Sequence, residues 1–499
     1  MKKVIIISYA QPLLLGSRLV SSLLKKHSHE VTLLNLNHYH FLIEKVFSDD
    51  FIRKLALFCQ DFDAICFSFM TQESSLLIPL VVELRKILPK LYVFGGIHPT
   101  HNPLECLDYA DVVFLGESEY SFLQAIENDF SNLHELDNVG YKDEFGKKII
   151  NKIASLKNNL NELPYPDYSI ENKYVVSADN TIIPVTREMQ KEFFKQSGAY
   201  YGNFYSYTTL TSRGCPHKCS YCANLNEIRE HGFVPKLRFR SVENIIRELE
   251  EIRALYPEIN FFLFYDDNFA SRKDEEILEF CREYKKRINA PFAILVSPRF
   301  VSDFKLSHLV DAGLRHLQMG IQSGSDEINR SVFLRNISGK QTIQAIQIIN
   351  KYKKYFTPWY DFITDIPYDT LQSKRETIRL LSKIPKPFKL QIFSLVLFPS
   401  TSLYNRIKEE MPHLLYKYSG ENKTMSKLNN LNDLNYYDTV LLVAAYTPNI
   451  VLRILSSKVM FFLFDRKFFS PVMKTTIASL RMINRATHIN HNKIRAIPK

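Results

Sequence analysis

From residue 3 onward, short apolar runs alternate with segments whose apolar residues recur at helical spacing. KVIIIS, EVTLLNL, DAICFSF, LYVFGG and DVVFLG are continuous runs of strand length, the pattern of strands buried on both faces. GSRLVSSLLKK, a stretch near 48–58, SLLIPLVVELRKIL, a short piece near 103–108 and EYSFLQAI read as helices between and after them. This alternation over 1–130 predicts an α/β fold with a doubly wound, Rossmann-like parallel sheet, whose ligands lie at the carboxyl ends of the strands. Three motifs fall at those ends: Ser68 to Thr71 (SFMT), Gly95 and Gly96 followed by IHPT, and Gly116 with Glu117.

The next stretch, 131–206, is richer in polar residues and proline, as in NELPYPDYSI, and reads as a linker with little regular structure. A second alternation spans 207–410. Its strand candidates are YTTLTSRG, INFFLFYDD, PFAILVSP, LRHLQMGIQS, WYDFITDIP and LQIFSLVLFP, with helices at about 241–255, 273–287, 303–312, 340–353, 370–383 and 401–410. Six βα units in series predict a partial (β/α)6 barrel of the TIM type, again with its site at the strand carboxyl ends. The last stretch, 411–499, looks helical, apolar on one side and basic on the other; 451–499 hold ten Lys and Arg against only Asp465. That pattern suits a helical cap with a solvated face, or an interfacial helix meeting an anionic or lipidic surface.

Composition narrows the class. A hydrophobic content of 45% excludes general disorder, and 499 residues allow about three units at roughly 150 residues each. The start MKKVIIIS has the look of a signal peptide, but Gln11 and Pro12 interrupt the run and a periodic pattern continues, so it reads as a first buried strand. No uninterrupted apolar run reaches the roughly 20 residues needed to span a bilayer. Seven cysteines, odd in number and sparse, argue against a secreted disulfide framework and for a reducing, cytoplasmic setting. The net charge of +11 suits nucleic acid, anionic lipid or a phosphorylated substrate alike and decides nothing alone.

Chemistry concentrates in TSRGCPHKCSYCANLNE, directly after the first strand of the second alternation, where Cys215, Cys219 and Cys222 stand within eight positions. Thiolates bind zinc or iron–sulfur clusters. Zinc needs a fourth ligand; no second Cys-x2-Cys pair occurs, and His217 lies inside the Cys215 to Cys219 loop, where reaching the same metal is strained. On a four-iron cubane, three cysteines leave one iron open to a small chelating molecule.

The spacing Cys-x3-Cys-x2-Cys, with Tyr221 before the last cysteine, resembles the signature of the radical S-adenosylmethionine (SAM) enzymes. SFMT, GGIHPT and LGESE, followed by linker, barrel and cluster loop, resemble the branch of that family that carries a cobalamin-binding domain, over residues 1 to about 410. The resemblance implies a [4Fe-4S] cluster on Cys215, Cys219 and Cys222, with S-adenosyl-L-methionine on the open iron. It further implies a 5′-deoxyadenosyl radical made with an electron from an external donor such as flavodoxin or ferredoxin. Cofactor contacts are expected from Tyr221, from Asp266 and Asn268 in FYDDNF, and from Gln322, Ser323 and Ser325 in MGIQSGS. There relatives usually read GIESGS, so Gln322 brings an amide where a carboxylate is usual. Asp365, Pro367, Pro399 and Thr401 are expected to shape the ends of strands five and six.

For cobalamin the resemblance points to Ser68, Thr71, Gly95, Gly96, His98, Gly116 and Glu117, the glycines letting backbone approach a nucleotide tail. SYAQPLLLG contains no histidine, so this loop supplies no axial imidazole, and His98 and His101 are expected as exposed loop residues. The implied reaction is methyl transfer to an unactivated carbon of a small-molecule or lipid substrate. Relatives of the same layout instead close or rearrange rings, and a non-catalytic cobalamin or redox sensor is a further reading. No nucleic-acid partner is expected: Cys59 and Cys66 occupy ordinary places for buried thiols, Cys106 is the third thiol that a second cluster would require, and the chain ends in basic helices. Peripheral membrane contact is expected, if anywhere, through the carboxyl-terminal region.

Overall fold

The computed structural model describes residues 1–9, 13–36, 47–153, 159–177, 179–224, 236–418 and 435–464. Gln11 and Pro12, and the basic end from Asp465 onward, lie outside the described residues. The chain divides into two compact units, one drawn from 1–193, 222–238 and 397–422, the other from 194–221, 239–396 and 423–499.

In the first unit, β1 (Lys3–Ser8), β2 (Glu30–Asn35), β3 (Ala64–Ser68), β4 (Leu91–Gly95) and β5 (Val112–Phe114) are the five expected strands. They pair in parallel in the order β5-β4-β3-β1-β2. Alternation along each strand builds two cores. Ile5, Ile7, Ile65, Phe67 and Phe94 meet Phe51, Leu55, Leu77 and Leu84 of α2 (Asp49–Cys59) and α3 (Thr71–Ile87). Val4, Ile6, Cys66 and Val93 meet Leu24 of α1 (Leu15–Lys26) and Phe122 and Ile126 of α6 (Glu119–Glu127). Between β4 and β5 run two short helices, α4 (Ile97–His101) and α5 (Pro103–Cys106).

The expected linker is corrected. Residues 131–206 add β6 (Val139–Lys142), β7 (Lys148–Ile150), β8 (Lys173–Val176) and β9 (Ile182–Pro184) to the same sheet, making nine strands in the order β7-β6-β5-β4-β3-β1-β2-β8-β9. A helix, α7 (Arg187–Gly198), follows. These strands are three or four residues long, too short to stand out as runs within a polar stretch. In β8 a buried lysine breaks the apolar run: Lys173 pairs with Asp167, which also accepts from Lys25 Nζ at 2.9 Å and Ser21 Oγ at 2.8 Å.

The second unit carries β10 (Ser206–Thr209), β13 (Phe261–Phe264), β14 (Phe292–Val296), β15 (Leu314–Gln322), β16 (Trp359–Thr364) and β17 (Lys389–Ser394), all parallel and in sequential order, the part-barrel order expected. Two-residue strands β11 (Ser212–Arg213) and β12 (Arg238–Phe239) flank the cysteine loop in sequence. Helices α8 (Val242–Leu255), α9 (Asp274–Arg287), α10 (Asp303–Ala312), α11 (Gly339–Asn350) and α12 (Leu371–Leu381) fall at the expected places. Ser241, Ser302, Ser338 and Thr370 cap four of them, each accepting a first-turn N–H.

Pleating separates two faces. Phe262, Phe264 and Phe292 pack on Tyr284 and Phe280 of α9, so Leu263, Ala293 and Leu295 point the other way, where Tyr201 and Phe204 stack on Phe261. The register carries this inner face through His316 and Gln318 to Trp359 and Asp361, and on to Lys389 and Gln391.

The first unit also holds α13 (Ser402–Glu410), capped by Thr401, and α14 (Leu415–Tyr418). In the second unit α15 (Tyr436–Val443), α16 (Asn449–Leu455) and α17 (Lys458–Phe464) follow, with α15 and α16 packed on α12. Arg375 Nε donates to Ser456 O at 2.7 Å, and Lys386 Nζ donates to the carbonyls of Ala444 and Ala445, each at 2.7 Å. The described part of this end is helical.

One glycine couples β15 to α12. A Cβ at Gly324 would lie 2.4 Å from Thr377 Cα and 3.0 Å from its N, atoms that cannot step aside. Gly324→Ala is therefore expected to destabilise the fold by about 1–3 kcal/mol, read as a lower thermal midpoint. An unchanged midpoint would show that the two elements are not so closely set.

Candidate cofactor sites

The cysteine loop begins on a pinned foundation. Asp266, at the end of β13, accepts from Thr211 N and Oγ1 at 2.8 Å each and from Ser212 Oγ at 2.6 Å, and the Ser212 N–H also donates to it. The carboxyl is fully buried; burial pushes its pKa up, while the Ser212 bonds and the nearby Arg272 guanidinium pull it down. Arg272, itself buried, donates to Thr211 O at 2.7 Å. Asp266 was expected to face a cofactor. Its oxygens instead face the chain that leads to Cys215, so it positions the loop.

Farther along, His217 Nε2 lies 2.7 Å from Ser297 Oγ, and Asn268 closes on the same serine, Nδ2 donating at 3.0 Å and Oδ1 accepting from Ser297 N at 3.4 Å. Burial lowers the His217 pKa to about 4, so the imidazole is neutral and held by Ser297. Asn268, expected at the cofactor, belongs to this chain of contacts. Ser220 fastens the other side, its N–H donating to Phe333 O at 2.9 Å and its Oγ to Val332 O at 2.6 Å. The Tyr221 ring, expected at the cofactor, stands edge-on to Phe333 at 4.6 Å.

All seven cysteines are unbridged; Cys219 is buried, and Cys215 and Cys222 are half-buried. Burial pushes the Cys215 thiol up to about 12, with the His217 N–H opposing and the carboxylate of exposed Asp267 adding to the rise. Three unbridged thiols at this spacing suit iron, whose positive charge ionises its thiol ligands on coordination. By contrast Cys59 and Cys66 are structural: both are buried, and burial alone raises them.

At the end of β15, Gln322 takes φ +72° beside a break in register with β16. Beyond it Ser323 O accepts from Asn329 Nδ2 at 2.8 Å, and Ser323 Oγ accepts from Ser325 N at 3.2 Å. Four buried groups here carry atoms with no hydrogen-bond partner among the described residues: Ser325 Oγ, Asn329 Oδ1, Arg335 Nε and Nη1, and Asp361 Oδ1. Arg335 Nη2 donates to Gly320 O at 2.7 Å; Asp361 Oδ2 accepts from Gln318 Nε2 at 2.9 Å, which also donates to Gln391 Oε1 at 2.7 Å. Burial pushes Asp361 up to about 7. Donors and acceptors in reserve suit a ligand bearing both a carboxylate and an ammonium group. The sequence reading passed over Arg335, Asp361, Gln318 and Gln391. For Asp361 the signal was one charged residue inside the otherwise largely apolar strand WYDFIT.

In the first unit Ser68, Gly95, Gly96 and Gly116 come together at the rim of a cleft of about 150 Å³, walled by Ile6, Val20, Val93, Phe114 and Phe122. Gly96, at φ +98°, lies so close to Phe69 that a Cβ would sit 2.9 Å from its carbonyl oxygen. Thr100 ties the rim together, donating to Gly96 O at 2.7 Å and accepting from Gly116 N at 2.9 Å. Apolar walls and a glycine rim fit the flat heteroaromatic base of a nucleotide arm such as cobalamin's.

Thr71, His98 and Glu117 are outside that lining. Thr71 begins α3 with its hydroxyl buried and without a partner. Glu117 binds Arg238, Nη1 donating at 3.0 Å and Nη2 at 2.5 Å. The histidines are not exposed, because α4 folds both into the unit. His98 is fully buried on the Phe69 ring, and burial lowers its pKa to about 4. His101 places Nδ1 at 3.0 Å from Pro399 O and Nε2 at 3.0 Å from Ala223 O, next to Cys222. Pro399 and Thr401 shape this turn as expected, and Asp365 accepts from Ser394 Oγ at 2.7 Å.

Residues 209–381 match the radical SAM superfamily, and residues 3–126 match the B12 binding domain. The chain belongs to the radical SAM proteins that carry a B12-binding domain. These domains imply a [4Fe-4S] cluster, SAM and cobalamin. Among curated proteins, the chain is 25% identical over 58% of its length to an uncharacterized methyltransferase of Pyrococcus horikoshii, covering 58% of that protein. It is 21% identical over 70% of its length to the bacteriochlorophyllide d C-8(2)-methyltransferase of Chlorobaculum tepidum, covering 69% of it. The solved radical SAM methyltransferase TsrM from Kitasatospora setae, with tryptophan and a SAM analogue bound, shares the fold: TM-score 0.62, 14% identity, 82% of this chain and 76% of that one.

Two outcomes test the geometry. Asp266→Asn places an amide against donors, so iron retained after anaerobic reconstitution should fall well below wild type at unchanged thiol count; equal iron would remove Asp266 from the loop's support. Asp361 has a folded pKa near 7 against an unfolded value near 4. The folded state therefore binds the extra proton, and this stabilising contribution is full below about pH 4 and lost as pH rises through about 7. Stability of the apoprotein should fall less between pH 5 and 8 in Asp361→Asn than in wild type, as read by denaturant midpoints at both ~pH values; parallel profiles would contradict the assignment.

Proposed function

We propose that the protein is a cobalamin-dependent radical SAM methyltransferase acting on an unactivated carbon of a small-molecule or lipid substrate. The observation that carries this reading is the pairing, in one chain, of the glycine-rimmed cleft with a three-cysteine loop anchored behind the first barrel strand. The names of the Pyrococcus, Chlorobaculum and Kitasatospora proteins support it. Loaded, the cluster supplies an electron and an open iron for SAM, and the corrinoid a transferable methyl group.

The chain's own residues divide the remaining work. Cys215, Cys219 and Cys222 hold the cluster, and Asp266, Asn268, Ser297 and Ser220 fix the loop that carries them. Arg335 and Asp361, with Gln322, Ser323 and Ser325, take the charged and hydroxyl groups of SAM. Gln318 and Gln391 present amides on the inner face beside Asp361, where they orient a substrate. Ser68, Gly95, Gly96 and Gly116 receive the cobalamin nucleotide arm.

The electron comes from an external donor such as flavodoxin or ferredoxin. Among the described residues no helix is long and apolar enough to cross a membrane; we place the reaction in the cytoplasm, with any membrane contact peripheral.

Anaerobic incubation of the reconstituted protein with SAM and a strong reductant should yield 5′-deoxyadenosine in wild type and none in Cys219→Ala. With substrate and corrinoid, product mass should rise by one CH2. Absence of deoxyadenosine in wild type would favour a sensor, and a product lighter by two hydrogens an oxidative cyclase.

A further inference from the structure

We propose that the substrate carries a carboxamide or lactam, whose N–H and C=O are read by Gln318 and Gln391; the inference rests on the methyltransferase reading. A carboxylate oxygen accepts and an amide nitrogen donates, so Asp361 Oδ2, 2.9 Å away, holds Nε2 of Gln318 on its side. The neutral acid keeps this polarity with its proton on Oδ1, the oxygen that has no partner. The same Nε2 gives its other hydrogen to Gln391 Oε1 at 2.7 Å. Gln318 is left with Oε1 open, and Gln391 with its Nε2 hydrogens open. The reciprocal bond that would close a cyclic amide pair, from Gln391 Nε2 to Gln318 Oε1, is not formed. Neither glutamine has a further hydrogen-bond partner among the described residues. One acceptor on β15 and one donor on β17 therefore stand together, with Asp361 of β16 setting their polarity.

Open space lies beside them. Gln318 and Gln391 are half-buried, and Tyr265, just past β13 on the same inner face as Leu263, keeps 56% of its surface exposed. Burial nevertheless raises its phenol, and the Asp361 carboxylate is the next cause, so the ring lines a hollow near Asp361 and not the outer surface. A group that meets both glutamines must offer a donor to Gln318 Oε1 and an acceptor to Gln391 Nε2. A carboxylate lacks the donor and meets the charge of Asp361. An amidinium lacks the acceptor and sets N–H against N–H at Gln391, and hydrocarbon leaves both amides unpaired. A primary carboxamide or a lactam carries donor and acceptor on one edge, in the place of the missing half of the glutamine pair. Its plane can lie on the Tyr265 ring.

The test is a ligand-detected NMR titration of the full-length, cluster-reconstituted protein, with SAM added so that its own site is filled. The probes share one ring: benzamide, benzoate, benzamidine, benzyl alcohol and N-methylbenzamide, the last lacking the N–H on the carbonyl edge. Wild type should bind benzamide saturably and each of the others at least about tenfold more weakly. Gln391→Glu keeps an oxygen for Gln318 Nε2 but turns the open donor into an acceptor, so benzamidine should become the preferred probe. Gln391→Met offers neither, and should lose benzamide without gaining benzamidine. Iron content and far-ultraviolet circular dichroism should match wild type in both variants. Isoindolinone, a ring-closed benzamide, separates the two sources: tighter binding than benzamide marks a lactam, weaker binding a primary carboxamide. No saturable benzamide binding in wild type, another of the five probes binding as tightly, or benzamide binding unchanged in both variants overturns the proposal. Deoxyadenosine formed without the amide preference overturns this inference alone. The preference without deoxyadenosine supports the amide site and removes the methyltransferase.

Discussion

The second unit depends on one buried carboxylate. Taking Asp266 out of water costs several kcal/mol, and each charge-assisted hydrogen bond returns about 1.5–3 kcal/mol. Four donors from two consecutive residues, Thr211 and Ser212, together offset the burial. These bonds tie the end of β13 to the chain leaving β10. The loop that follows can be long and irregular because its root cannot move. Its remaining freedom is taken up by Ser297 at His217 and by the 332–333 backbone at Ser220.

The first unit reaches the same end by a different route. Its cleft rim is backbone, not side chain, and its rigidity comes from what glycine allows and threonine ties. Gly96 lets the β4 exit press against Phe69, and Thr100 joins that exit to Gly116 across the sheet edge. Glu117, one residue on, spends its carboxylate on Arg238, and Glu119 is the one charged residue of the lining. Apolar walls under a largely backbone rim are the environment for a flat, weakly polar group.

How much of this was legible in the sequence follows from how each residue type signals. Buried parallel strands announce themselves as apolar runs, and βα loops as Ser or Thr caps, so the five strands from KVIIIS to DVVFLG and all six barrel strands stood where the pattern placed them. The cysteine spacing is local and survived intact. The added strands were lost because three or four residues are too few to show a pattern among polar neighbours, and Lys173 disguised β8 by bringing a charge whose partner, Asp167, is not sequence-adjacent. Side-chain direction was the larger loss. FYDDNF shows two carboxylates, yet only the fold turns Asp266 inward to the loop root and leaves Asp267 exposed. WYDFIT shows an aspartate in a strand, yet only register sets Asp361 between Gln318 and Gln391.

Satisfaction of hydrogen-bonding capacity separates residues that position from residues that bind. Asp266, Asn268, Glu117 and His217 are occupied by protein partners and have little left for a ligand. Ser325, Arg335 and Asp361 are as deeply buried but keep atoms without partners, a cost of about 1–3 kcal/mol each that a stable core would not retain. Motif matching alone would put Asp266 and Ser325 in one class, since both end a barrel strand. Their hydrogen bonds put them in two: the first unit of charge is spent holding the loop still, and the second set is held in reserve where a polar ligand can use it. The division explains why the second unit would bury several polar groups and satisfy only some of them.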